Sequence, residues 1–159
     1  MNVKRYFAFL AAVSLLACST AKTGSDKPTV SREKARVLSE GERMEIDFLF
    51  FNAQKEKLIG NMGVAENLFL EVLKRDATNA QAYYEIGRTS LARQELPRAL
   101  EYAQKAAKLN PTNPWYLRLE ADLLRQSGRQ PEAVQVLKQL VKLPEQSQVD
   151  VLMDIALLQ

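Results

Sequence analysis

Three alanines stand 34 residues apart, at Ala65, Ala99 and Ala133, and a fixed period of that length marks stacked helical hairpins. The best-defined unit runs from Asn79 to Asn113. Its first half carries Tyr83, Ile86, Gly87 and Leu91 at the three-to-four spacing that gathers apolar groups into one helical stripe. Its second half carries Ala99, Leu100, Ala103, Ala106, Ala107 and Leu109 in the same way. Asn79 suits an N-cap, and Pro97 suits the first turn of the second helix, where a missing N–H costs nothing. Asn110-Pro111 ends the unit, because the residue before proline avoids helical backbone angles. Gly87 and Ala99 are small, as a close approach of two helices requires.

Tyr83, Gly87, Ala99 and Pro111 stand where the tetratricopeptide repeat has a large aromatic, a glycine, an alanine and a terminal proline, so the unit resembles that family. The same frame extends upstream through Leu49, Ala53, Gly60, Ala65, Phe69 and Val72, and downstream through Leu117, Ala121, Gly128, Ala133, Leu137 and Leu140. Pro97 is echoed by Pro131 and, more loosely, by Gly63. Asn52 and Glu120 depart from the pattern, falling where the family has leucine and where the central unit has Ile86. The first helices of the outer repeats are therefore less strongly specified. The resemblance implies an all-α, right-handed solenoid of about three hairpins plus a terminal helix, with repeats at about 46–79, 80–113 and 114–147. An ordinary helical bundle with accidental periodicity is the competing reading.

At the N-terminus, Lys4 and Arg5 precede an apolar run from Tyr6 to Ala17. It is too short to span a bilayer as a permanent helix and has the order of a signal peptide. Leu15-Leu16-Ala17-Cys18 resembles the lipobox of bacterial lipoproteins, which implies diacylglycerol on the Cys18 sulfur, cleavage after Ala17 and acylation of the new amino group. A thiolate is the side chain best suited to attack a lipid donor, and two or three acyl chains, at about 0.8 kcal/mol per buried CH₂, hold a protein on a membrane durably. Cys18 is the only cysteine, so no intrachain disulfide forms, and an exported chain gains little from an unpaired thiol that is not modified. A secretory signal with an incidental cysteine, or an uncleaved anchor, are the alternatives. Ser19 after the cysteine is, by the same resemblance, a signal for the outer membrane, which places the protein in the cell envelope on the periplasmic face.

Residues 18–40 are rich in Ser, Thr, Lys and Gly, too polar to bury a core, and read as a tether. About 20 flexible residues reach roughly 25 Å. The mixed-sign run Arg32-Glu33-Lys34-Ala35-Arg36 reads as solvated linker or helix start rather than a lipid head-group patch. The helical domain occupies 41–159, with Ile46, Leu49, Phe50 and Ala53 on the first apolar face and Phe48 and Phe51 making that helix unusually aromatic. The last segment, 148–159, is apolar nearly all round. It either docks on repeat three, opens a further repeat or is covered by a partner; the second is the expectation, since the pattern stops without a cap signal.

Composition narrows the functions. Hydrophobic content is 47%, that of one folded domain with an appendage. The formal charge is +3, but taking Lys4 and Arg5 from the 22 basic residues leaves 20 against 19 acidic ones, so the mature chain is near neutral; nucleic acid demands a concentrated basic face, and no nucleic-acid partner is expected. Histidine is absent, removing the commonest general base and transition-metal ligand. No phosphate loop, nucleophile elbow or zinc set appears. The carboxylates Glu42, Glu45, Asp47, Glu101, Glu132, Asp150 and Asp154 fall on polar faces or near helix starts, where they favour the helix dipole. We expect no catalytic residues, no metal, no cofactor and no small-molecule substrate.

Binding is the expectation. Groove positions implied by the repeat family are Asp47, Phe50, Gln54, Lys57 and Leu58; Gln81, Tyr84, Arg88, Leu91 and Ala92; and Trp115, Arg118, Asp122, Arg125 and Gln126. Gln81, Tyr84, Arg88, Trp115, Arg118, Asp122 and Arg125 are the expected contacts, because rigid aromatics and guanidinium forks dominate hot spots. Phe50 fits the core better than the groove, and Trp115, following Pro114, also fits packing between repeats two and three. The mix suits a protein or peptide partner with apolar anchors and some acidic character. Phe50, Gln54 and Glu85 occupy positions where the family's clamp for chaperone tails has other residues, which argues against that ligand. The expected role is a membrane-anchored scaffold in a cell-envelope complex; the alternative is a regulator of, or weak hydrolase on, cell-wall material.

Overall fold

The computed structural model describes residues 37–143 and 148–158; the signal peptide, Cys18 and most of the tether lie outside them. Among the described residues there are seven α-helices and no strand: α1 (Glu40–Leu58), α2 (Met62–Arg75), α3 (Ala80–Ala92), α4 (Leu96–Leu109), α5 (Pro114–Gln126), α6 (Gln130–Leu140) and α7 (Gln148–Leu157). Each packs on the next in chain order, so the fold is a right-handed solenoid of three hairpins followed by a seventh helix.

The helix ends follow local chemistry. α1 begins at Glu40, one residue before the expected start, because Ser39 and Glu42 form a reciprocal cap: the Glu42 N–H donates to Ser39 Oγ (3.3 Å) and the Ser39 N–H donates to Glu42 Oε2 (2.9 Å). Asn79 caps α3 by accepting from the Ala82 N–H at 2.9 Å, and Asn113 caps α5 by accepting from the Trp115 N–H at 3.0 Å. Within each hairpin the turn repeats with the 34-residue period. Gly60, Gln94 and Gly128 take positive φ (89°, 63° and 73°), and the next residue returns its N–H to the helix: Asn61 to Glu56 O, Glu95 to Ser90 O and Arg129 to Leu124 O, each 2.9 Å. That closure is the Schellman form. Gln94 adopts the left-handed conformation without being glycine, at a cost of about 1 kcal/mol.

The periodic small residues lie where the helices meet. Ala65, Ala99 and Ala133 are fully buried, as are Ala53 and, nearly so, Ala121. Gly87 is tighter still: a Cβ there would lie 3.3 Å from both Ala99 O and Ala103 N on α4. Alanines facing solvent, the signature of accidental periodicity, are not found in this frame. Phe69, Ile86, Leu117, Leu123, Leu124 and Leu140 supply the bulk of the interior, and Phe50 meets Phe69 edge-on with centroids 5.2 Å apart, in the core as expected.

The departures at Asn52 and Glu120 leave α1 and α5 intact. Both residues are half-buried. Burial pushes the Glu120 carboxyl above its ordinary range, with the Gln104 side-chain hydrogen bond and the Arg129 charge opposing that. Two other carboxylates join the repeats. Glu66 of α2, 3% exposed, takes Arg93 at 2.7 Å and Arg98. Glu85 of α3, 5% exposed, takes Lys57 of α1 at 2.6 Å and Gln54 at 3.0 Å.

Two outcomes test this packing. Gly87→Ala gains about 0.5–1 kcal/mol of helix preference but overpacks two backbones at about 1–3 kcal/mol, so its melting temperature falls; Gly63→Ala, with open space around it, raises it slightly. Glu120→Gln stabilises at neutral pH. Because the folded carboxyl holds its proton more tightly than the unfolded one, wild-type stability drops as pH rises above the ordinary carboxylate range, so the gain shrinks on acidification, as urea titrations at several pH values will report.

Candidate functional site

Side-chain contacts link the first helices of successive hairpins into one layer. α1 reaches α3 through Lys57 and Gln54 on Glu85. α3 reaches α5 through Tyr84 and Tyr116, whose rings stand 5.0 Å apart. α5 reaches α7 through Arg118 and Asp154 at 2.8 Å. This is the face that the repeat periodicity assigns to a groove.

The expected contact residues separate into two groups. In the first, the Arg88 guanidinium lies 5.6 Å over the Tyr84 ring, a cation–π arrangement, with Glu85 at 3.9 Å. Burial raises the Tyr84 hydroxyl pKa, partly opposed by Arg88, so the phenol stays a neutral donor. Burial likewise raises that of Tyr116. Beside Arg88 is a shallow depression of about 300 Å³ lined by Lys57, Leu58, Met62, Arg88, Thr89 and Ala92. Four of those six were groove positions on sequence grounds. Among the described residues, Lys57 and Arg88 share the single carboxylate of Glu85 there, a sum of one positive charge.

In the second group charge is balanced internally. Arg118 pairs with Asp154 at 2.8 Å and Asp122 at 3.7 Å; Arg125 pairs with Asp122 at 3.3 Å and Asp154 at 3.9 Å. Burial raises the Asp122 carboxyl pKa, Arg118 and Arg125 pull it back, and Asp154 adds to the rise. Trp115 is 69% exposed, which corrects the reading that packs it between repeats two and three: at the second position of α5, just past the Asn113 cap, it points off the hairpin. Gln81, Asp47, Leu58, Ala92 and Gln126 are exposed, and Leu91 is half-buried against the core.

Tyr116, Glu85 and Asp154 contact the expected groove residues, although none of the three is among the contacts expected from the sequence. Asp154 was legible in part, since it stands 34 residues after Glu120. α7 follows the same frame: Val151 and Ile155 are buried at the positions of Leu117 and Ala121, while Leu152, Met153 and Leu157 are exposed. It continues the frame of α5, and among its described residues one face is buried. Among the described residues no group of three or more His, Cys, Asp or Glu side chains is placed to hold a metal, and no helix is long and apolar enough to cross a membrane.

Residues 59–114 match the family model of the tetratricopeptide repeat, and no curated protein matches the sequence. Solved structures share the fold. The type III secretion chaperone SycD of Yersinia enterocolitica, in complex with a peptide of the translocator YopD, aligns with TM-score 0.66 at 17% identity over 76% of this chain and 96% of that one. MamA aligns with TM-score 0.65 at 18% identity over 74% and 68%. The first such domain of Spaghetti (RPAP3), bound to an HSP90 peptide, gives 0.63 at 12% identity over 72% and 93%. Residues 59–114 thus match a tetratricopeptide repeat, and the seven helices share the solenoid fold of these structures.

If Asp154 holds α7 through the two arginines, Asp154→Ala should speed amide exchange in 148–158 roughly two- to five-fold, the worth of exposed ion pairs. Exchange in α2 and α4 should be unchanged.

Proposed function

We propose that the protein is a lipid-anchored tetratricopeptide scaffold that holds a peptide or helical segment of a cell-envelope partner on the layer formed by α1, α3 and α5. The observation that carries this is the Tyr84–Arg88 stack, which borders an open depression and leaves one cation unneutralised. Rigid aromatic and guanidinium groups lose little entropy on contact, and an apolar segment bearing a carboxylate satisfies both halves of that surface. Binding concentrates at Arg88 rather than Arg118 or Arg125, because Asp122 and Asp154 already compensate the latter two. The peptide complexes of SycD and RPAP3 support a groove-binding mode on this fold.

The anchor in this proposal is Cys18, released as the new N-terminus by cleavage after Ala17. Residues 18–39 then form the leash that ends at the Ser39 cap of α1. Ser19 supports sorting to the periplasmic face of the outer membrane. The mechanism is adhesion and placement, with Arg88, Tyr84 and Trp115 as anchors and no chemistry at the groove.

Crosslinking from the groove in intact cells, with mass identification, tests the binding surface. Arg88→Ala with Trp115→Ala should cut partner capture at least tenfold, about 1.4 kcal/mol, while Arg118→Ala should change it little. Equal losses from all three would contradict this surface. Cys18→Ser should abolish palmitate labelling and release the protein from membranes; retention of both would refute the anchor.

A further inference from the structure

The first helix is apolar on two opposite faces. Ile46 and Ala53 project from one and are buried in the first hairpin's core. Met44, Phe48, Phe51 and Leu58 project from the other and are 68%, 68%, 72% and 83% exposed. Positions 44, 48, 51, 55 and 58 step alternately by four and three, so these side chains and Lys55 share one stripe about 80° wide. A helix in a terminal hairpin needs a single apolar face, and one that is apolar all round is normally covered on both. Among the described residues the stripe is open.

We propose that this stripe joins two copies of the chain, α1 against α1 in antiparallel order about a two-fold axis. The reason for a second copy is that the stripe complements its own reverse. With Phe48 set opposite Phe51 of the second copy, Met44 falls opposite Lys55 and Gly41 opposite Leu58. The four phenylalanine rings meet at the axis, and at roughly 150–250 Å² each they supply much of the 1,200 Å² or so that a specific interface needs. Gly41, with nothing within 4 Å of where a Cβ would stand, makes room for Leu58.

Charge selects the direction. The first half of α1 carries Glu40, Glu45 and Asp47 against the single Arg43 beside the stripe, and Lys55 lies within it near the other end. Among the described residues Lys55 pairs with Glu56 at 3.9 Å and Glu45 with Arg75 at 3.5 Å. Antiparallel pairing brings Lys55 over the methionine thioether and beside the acidic half of the other helix. Parallel pairing would set Lys55 against Lys55 and carboxylates against carboxylates, which is repulsive. The acidic rim also makes an anionic lipid surface a poor occupant.

The test uses the full chain carrying Cys18→Ser. Sedimentation equilibrium should give twice the monomer mass, and Phe48→Glu with Phe51→Glu should weaken association at least tenfold while leaving the circular dichroism unchanged, since both rings are solvent-exposed. Copies with Met44→Cys should form disulfides with copies bearing Lys55→Cys and not among themselves. A monomer at all concentrations, a dimer indifferent to the two glutamates, or Met44→Cys self-crosslinking as efficient as the mixed pair would overturn the proposal. So would a monomer retained by phosphatidylcholine vesicles through the stripe, which would assign that surface to lipid.

Discussion

The close approach of α3 and α4 at Gly87 is the constraint on which the remaining packing depends. Two backbones come near enough that a single added carbon would press on a carbonyl oxygen and an amide nitrogen at 3.3 Å. Such an approach excludes large side chains at the crossing, so alanine recurs at 53, 65, 99, 121 and 133 in the same frame. Once the crossing distance is set, the hairpin's shape is set, and repetition at 34 residues places each first helix beside the last. The layer of α1, α3, α5 and α7 is a consequence of that crossing rather than a separately specified feature.

Ionic groups then lock neighbouring repeats. Glu66 and Glu85 are nearly buried, yet Glu66 meets Arg93 and Arg98 of the next hairpin, and Glu85 meets Lys57 of the preceding hairpin and Arg88 of its own helix. A buried carboxylate is costly unless its charge is matched, so these two positions strongly disfavour other registers between repeats one and two. The same logic operates at the far end with less burial, where Asp122 and Asp154 hold Arg118 and Arg125. On the layer of first helices, the arginines nearest α7 are therefore each paired with two carboxylates, whereas Arg88 has Glu85 at 3.9 Å.

The two ends of the solenoid differ in what they leave uncovered. α7 buries Val151 and Ile155 and exposes Leu152, Met153 and Leu157, beside an open cleft of about 550 Å³ shared with α6. α1 exposes a narrower, more aromatic stripe with a charge gradient along it. Only the second has a pattern that is complementary to itself, which separates a surface specifying a partner from one that is merely apolar.

Much of this protein was legible in the residues alone. Helix boundaries, hairpin pairing and the buried alanines follow from a 34-residue period, because period and side-chain size are properties of the chain itself. The Ser39 and Glu42 cap was equally readable and was missed. The expected groove residues lie on α1, α3 and α5, yet which of them are already paired within the fold could not be foreseen. Arg88 and Arg118 are alike in sequence terms; one stacks on Tyr84 and shares Glu85 with Lys57, the other is neutralised by Asp154 from a helix 36 residues away. Charge compensation and aromatic stacking depend on distances of a few ångströms between residues remote in the chain. Periodicity determines which helices are neighbours, and only the folded arrangement decides which side chains meet.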